Sequence, residues 1–428
     1  MRASPGPERA SERASERASP GPERPLRGVW SLAVLALAMV AAACSASTQS
    51  DTVGLARRSP SAAVAGSGPS AEPAAVCAAA PLGERAARVL VVGLPGVRSG
   101  SEELVDEVAG SGVGGVLITD GNVESSDQVQ RLIEAIRTRA PHRLVVMADE
   151  EPGRVRTFAG IFGNDRSARR LAREESVDEV ALAGWTTGWR LTALGVDVDL
   201  APVADVDAGP SDGIIGDRAF SGDPDDAARY SLAYARGLVA GGVTPVAKHF
   251  PGHGRASGDS HRVLPRLATP LSSLRATDLG PFAAAIDAGI SAVMMGHVAY
   301  DAIEANMPAS MSPSAYALLR SLGFTGVALT DSVGMGAVNL RWDFDEAAVR
   351  AVVAGADGVL ATDGRQALRM RDALVAAVES GRLTESRLNE AAGRMAALAG
   401  ADSMALTCRD STLPILYPSP SLDSGGRR

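Results

Sequence analysis

The sequence predicts an α/β protein, a single-domain (β/α)8 TIM-type barrel. Three observations predict it. Residues 86–400 repeat one unit: a short apolar, β-branched run, a polar or glycine-rich turn, then a helical stretch. The strand-like runs are continuously apolar rather than alternating, as expected of parallel strands covered on both faces. Eight such runs are spread over about 310 residues, which is the number and size of a closed barrel.

The runs fall at residues 88–94, 114–119, 143–149, 196–202, 244–249, 292–296, 326–331 and 358–361. Helical patterns separate or follow them, among them 126–139, 224–240, 271–288, 345–354 and 384–398. The rival architecture is a doubly wound sheet with a dinucleotide site. It requires Gly-x-Gly-x-x-Gly after the first strand, and Gly93-Leu94-Pro95-Gly96 lacks that spacing. Hydrophobic residues make up 46% of the 428, enough for a substantial core. Aromatics are only 4% and the formal net charge is -8, so neither a base-stacking surface nor a basic footprint for nucleic acid is present.

The flanks read differently. Residues 1–28 repeat Ala-Ser-Pro-Gly-Pro-Glu-Arg at 3–9 and 18–24, a low-complexity pattern that builds no core. Arg24 and Arg27 then precede the apolar run 29–43, which ends in Ala41-Ala42-Ala43-Cys44. The run is short for a membrane span and reads as a signal peptide. Its end resembles a bacterial lipobox. That implies lipid attachment at Cys44 and export to the outer face of the cell membrane, with simple secretion as the alternative. Residues 45–85 read as a flexible tether and 401–428 as a C-terminal tail. Cys77 and Cys408 remain. In a closed barrel the first strand starts, and the last helix ends, at the same face, so a disulfide between them is expected in an oxidising compartment.

Chemistry in such barrels gathers where strands end. The third run ends in Asp149, followed by Glu150-Glu151-Pro152-Gly153-Arg154-Val155. The fourth leads to Asp205 and on to Arg218, the fifth ends in Lys248-His249, the sixth leads into His297, and the seventh ends in Asp331. Lys248 is the only lysine in the chain, every other basic residue being arginine. Each residue alone has a structural reading: a helix N-cap, a surface ion pair, a satisfied core histidine. Together they describe a carboxylate nucleophile facing a separate proton donor, with Arg and Lys orienting a neutral polar substrate, as in a retaining glycosidase. No His-x-His or His-Glu-x-x-His spacing and no phosphate-cradling loop occurs, so neither a metal nor a cofactor is expected.

The run Lys248-His249-Phe250-Pro251-Gly252-His253-Gly254, followed by Asp259-Ser260-His261, resembles the signature of glycoside hydrolase family 3. Within that family it resembles the single-domain bacterial β-N-acetylglucosaminidases. The likeness runs from about residue 88 to residue 398, nearly the whole of a barrel-sized domain. It implies Asp331 as nucleophile, in Thr330-Asp331-Ser332-Val333-Gly334-Met335-Gly336-Ala337. It implies His261 as acid/base on a mobile loop, with Asp259 as its partner. Asp149, Arg154, Arg218, Lys248 and His249 would hold the sugar. Two departures stand out. Pro152 replaces the first glycine of a Gly-Gly-Arg-Val motif, and Thr157 stands where a sugar-contacting arginine is expected, with Arg156 one place early. The absence of a second domain, and Ser332 in place of a tryptophan after the nucleophile, separate the chain from β-glucosidases.

The implied activity is removal of terminal β-linked N-acetylglucosamine from cell-wall-derived glycans or muropeptides, through a glycosyl-enzyme on Asp331. A histidine acid/base also leaves room for phosphate as acceptor in place of water. The alternatives are a β-glucosidase or β-xylosidase of the same family and a non-catalytic glycan-binding lipoprotein. The expected partner is a carbohydrate substrate, with no nucleic acid, contact with the membrane only through the lipid anchor, and a monomeric state.

Overall fold

Eight parallel strands form where the apolar runs lie: β1 Leu90–Gly93, β2 Gly115–Ile118, β3 Val145–Ala148, β4 Val198–Asp199, β5 Thr244–Phe250, β6 Ala292–Met295, β7 Val327–Thr330 and β8 Val359–Ala361. They come from a computed structural model that describes residues 77–417. The low-complexity segment, the signal-peptide pattern, Cys44 and most of the tether lie outside the described residues. Each strand pairs with the next in sequence as far as β7, and β8 pairs with β1. The ring closes between β7 and β8 through a parallel bridge from Leu329 to Gly358, with Thr330 N–H donating to Gly358 O at 2.9 Å. Gly358 permits that closure, since a Cβ there would lie 2.4 Å from a Leu329 methyl.

Two apolar cores result. Val91, Leu117, Met147, Val198, Val246, Met294, Leu329 and Leu360 point into the barrel, and Met395 and Ala399 join them from the end where the strands begin. A larger core lies between the outer sheet face and the surrounding helices. Helix starts follow local capping. Ser125 accepts from Gln128 N ahead of Ser126–Arg139, Asp223 caps Pro224–Ala240, Asp343 caps Phe344–Ala354, and Thr384 caps Glu385–Leu398. The longest described helix, Val177–Leu194, is opened by Ser176 in a capping box with Glu179.

Three expected boundaries shift. The run 271–288 is two helices, Leu271–Ala276 and Gly280–Asp287. Between them, fully buried Asp278 turns its carboxylate to Arg255 and to the Thr277 hydroxyl, and Gly280-Pro281 starts a new helix. The run 196–202 pairs regularly only over β4, because Pro202 has no N–H to give to the ladder. The segment expected as a tail is part of the barrel base as far as residue 417. It forms the helix Ser403–Thr407, Leu413 packs on the inner core, Leu416 is buried, and Ser291 Oγ donates to Pro414 O at 2.6 Å. At that base Cys77 and Cys408 are joined in a disulfide with their Cα atoms 5.7 Å apart. Among the described residues no helix is long and apolar enough to cross a membrane.

Candidate active site

A cavity of about 380 Å³ opens at the C-terminal ends of the strands, a size suited to a small ligand. Its polar floor is built from β5 and the loops after β3 and β4. Lys248 on β5 is 2% exposed. Its Nζ donates to Asp149 Oδ1 at 2.5 Å and to Glu151 Oε1 at 2.7 Å. Arg218 clamps the same Glu151 with two bonds, Nη2 to Oε1 at 2.7 Å and Nε to Oε2 at 2.8 Å. Such a fork fixes the guanidinium plane as well as its charge. Burial alone would push the Glu151 carboxyl up, but Arg218 and Lys248 hold it down to about 2. Both cations are stabilised in return and stay charged throughout the physiological range. Lys248 has three N–H donors and Glu151 and Asp149 take two, which leaves one for a sugar hydroxyl.

His249, next in β5, gives Nδ1–H to Asp205 Oδ2 at 2.7 Å and so offers Nε2 to the cavity. Asp205 is fully buried and also accepts the His253 backbone N–H, on Oδ1 at 2.6 Å. Burial opposes its ionisation, and His249 and His253 overcome that, so its carboxyl lies below the usual range.

Asp331 follows β7 directly. Its N–H donates to Met295 O at 3.0 Å, and Ser332 N–H donates to its Oδ1 at 2.7 Å. Desolvation raises its carboxyl, but His297, His249, the Ser332 N–H and Lys248 bring it below the usual carboxylate range, so it is ionised at neutral pH. His297 is fully buried, and that burial lowers its ring below the usual histidine range against the pull of Asp331. Its Nε2–H donates to Ser332 O at 2.9 Å and its Nδ1 accepts from the Ser310 hydroxyl at 2.6 Å. It is a satisfied core histidine that fixes the turn after Asp331.

The loop after β5 supplies the remaining group. His261 Nδ1–H faces Asp259 Oδ1 at 3.0 Å, which leaves Nε2 for transfer to a substrate. Burial raises the Asp259 carboxyl, but hydrogen bonds from the His261 backbone and ring together bring it below its ordinary value. The His261 side chain is 71% exposed, unlike every cation of the floor.

Asp149, Arg218, Lys248, His249, His261 and Asp331 all line the one cavity. Arg154 does not. Its guanidinium donates to the carbonyls of Ser211, Gly213, Ile214 and Ile215 at 2.5–3.0 Å and pairs with Asp217 at 3.2 Å. A run of carbonyls captures it, so it braces the loop carrying Ile214, Ile215 and Arg218 rather than the sugar. Asp259 stands behind His261 and is not part of the lining. Arg156 does not replace the arginine missing at Thr157. It is held by Glu150 at 2.5 Å and Asp165 at 3.1 Å, outside the lining, and Thr157 is itself buried. Glu151, Asp205 and His253 are supports not assigned a role from the sequence. For Glu151 and His253 the available signal was a second carboxylate or histidine two to four residues after Asp149 and His249. Among the described residues, His253 Nδ1 and Ser332 Oγ are buried without a protein partner, and both residues line the cavity. No described group of three or more His, Cys, Asp or Glu side chains is gathered to hold a metal ion.

An ionised carboxylate on one strand end, an imidazole on a separate loop and a buried cationic grip define the class: a barrel glycosidase working by displacement at a sugar carbon. The glycosyl hydrolase family 3 N-terminal domain model matches residues 83–398, and the chain belongs to that family. It is similar to the beta-hexosaminidase LpqI of Mycobacterium tuberculosis, with 36% identity over 339 residues, 77% of this chain and 86% of the relative. A solved glycosyl hydrolase of the family from Mycobacterium smegmatis superposes with a TM-score of 0.70 at 38% identity, covering 74% of this chain and 97% of that one. A solved family 3 beta-N-acetylglucosaminidase from Paenibacillus sp. gives a TM-score of 0.71 at 31% identity over 79% of this chain and 65% of that one.

Proposed function

We propose that this protein is a retaining β-N-acetylglucosaminidase that removes terminal N-acetylglucosamine from cell-wall-derived glycans or muropeptides. One observation carries the reading. Ionised Asp331 and the Asp259-supported His261 come from separate elements to one cavity, whose floor holds a neutral polar ring through Asp149, Arg218, Lys248 and His249. Asp331 attacks the anomeric carbon. As the carbon–oxygen bond to the leaving group breaks, His261 gives its Nε2 proton to that oxygen. A water then attacks the same carbon, passes a proton to His261, and the bond to Asp331 breaks. Asp259 keeps the imidazole in one tautomer and stabilises its charged form.

The test is kcat/KM on aryl β-N-acetylglucosaminide, β-glucoside and β-xyloside, side by side. A site that pairs polar groups with the acetamido substrate should favour it by about 100-fold or more. Equal or better turnover of the glucoside would replace this reading with the β-glucosidase one, and no turnover of any of the three would leave a glycan-binding protein. The arginine-led apolar run and Cys44 support export and lipid anchoring. The Cys44→Ala protein should leave the membrane fraction, and its retention there would overturn that assignment.

A further inference from the structure

We propose that the acid/base loop is latched onto the segment carrying the nucleophile through Gly336, Ser260 and His253. This seam, rather than the loop by itself, sets where His261 stands relative to Asp331. The inference rests on reading His261 as the proton donor.

Of Asp259-Ser260-His261, only the middle residue is buried. Ser260 is 4% exposed, while the side chains on either side face solvent. Its Oγ lies 3.3 Å from His253 Nε2. His253 is fixed in turn, with its backbone N–H on the Asp205 carboxylate and its ring edge-on to His249 at 5.9 Å. The same Asp205 orients His249, so one buried carboxylate connects the sugar-holding floor to the root of the loop.

The second half of the seam is backbone. Five and six residues beyond Asp331, the N–H groups of Gly336 and Ala337 donate to His261 O and Ser260 O, both at 3.0 Å. These bonds need close approach. A Cβ on Gly336 would lie 2.6 Å from Arg262 O and 2.7 Å from His261 O, both main-chain atoms that cannot swing aside. The Gly336 backbone is outside the left-handed region, so alanine there is disfavoured by that contact and not by its own conformation. Any side chain at 336 must therefore push the loop off the seam. A proton donor has to come within hydrogen-bond reach of the leaving oxygen, and a misplacement of about 1 Å costs on the order of 100-fold. Gly336, Ser260 and His253 are thus positioning residues for His261.

The experiment compares kcat/KM, which reports the first displacement, for an alkyl and a dinitrophenyl β-N-acetylglucosaminide. Wild type, Gly336→Ala, Ser260→Ala and His261→Ala are measured as full-length proteins, with Tm recorded for each. The latch predicts that Gly336→Ala loses about 100-fold on the alkyl substrate and less than about threefold on the activated one. Ser260→Ala should shift the same way by about tenfold, with Tm unchanged. If His261→Ala discriminates between the substrates while the other two variants lose equally on both, or lose nothing, the latch is wrong and the proton donor stands. If His261→Ala itself loses equally on both, the proton-donor reading fails and the latch with it. Should Gly336→Ala not fold, Ser260→Ala, which removes only a hydroxyl, decides the matter.

Discussion

Lys248 and His261 face the same cavity, yet Lys248 is almost wholly buried between two carboxylates while His261 leaves most of its side chain to solvent. Lys248 sits on a barrel strand, and its partners, Asp149 and Glu151, come from the loop that follows β3. His261 hangs from a loop that meets the segment after Asp331 through two main-chain bonds and meets His253 through the Ser260 hydroxyl. The contrast follows the work that the proposed function gives to each. A group that recognises a ring benefits from a single geometry fixed before binding. A group that must give up a proton and later take one back needs access to solvent and to the departing sugar.

Removing the nucleophile between the two regions has the largest expected effect. Asp331→Ala should lower turnover of an aryl β-N-acetylglucosaminide by about 10⁴-fold or more, as the loss of a covalent nucleophile does. Turnover within tenfold of wild type would move the nucleophile elsewhere. Next is the floor. Glu151→Gln leaves Lys248 and Arg218 with one shared anion fewer, and breaking a buried pair in this way costs about 3–5 kcal/mol. Urea unfolding should show that loss together with a raised KM. The Glu151 carboxyl is lowered from 4.5 to about 2 in the fold, so its stabilisation is complete above pH 4.5 and fades as pH falls toward 2. The variant should lack that part of the acid-side decline, and an unchanged decline would show that Glu151 is not the group responsible.

The loop should respond differently. Asp259→Asn is expected to cut kcat/KM on alkyl glycosides by about 100-fold through the wrong imidazole tautomer, with Tm untouched. A fall in Tm like that of Glu151→Gln would erase the distinction between floor and loop. The smallest effect concerns Asp199 beneath the floor, where burial holds the carboxyl well above 3.8. A raised folded value means stability that is complete below pH 3.8 and is lost as pH rises toward that value. Asn cannot take up the proton, so Asp199→Asn should gain stability relative to wild type at pH 7 and none at pH 3.5. Parallel unfolding curves at the two pH values would refute this.

The barrel was legible because burial on both faces writes itself as continuous apolar runs, and all eight runs are strands. The floor was legible because strand ends are where an isolated Lys or Asp stands out. What escaped were the supports. Glu151 reads in the sequence as one more acid beside Glu150, and only the fold brings Arg218, 67 residues away, onto it. Arg154 reads as a neighbour of Asp149, and only the fold shows the carbonyls of 211–215 that claim it. Residues 401–428 read as a tail rich in Ser, Pro and Gly, and only the fold shows Leu406 and Leu416 buried and Leu413 packed against the barrel base.

The bond between Cys77 and Cys408 has a mechanical consequence. It lies at the base of the barrel, where Met395, Ala399 and Leu413 close the inner core, opposite the cavity. A pull transmitted through residues preceding 77 therefore enters the structure at a covalent junction of its two ends, 331 residues apart in the chain. Such a load cannot peel β1 away from β2 and β8 one hydrogen bond at a time.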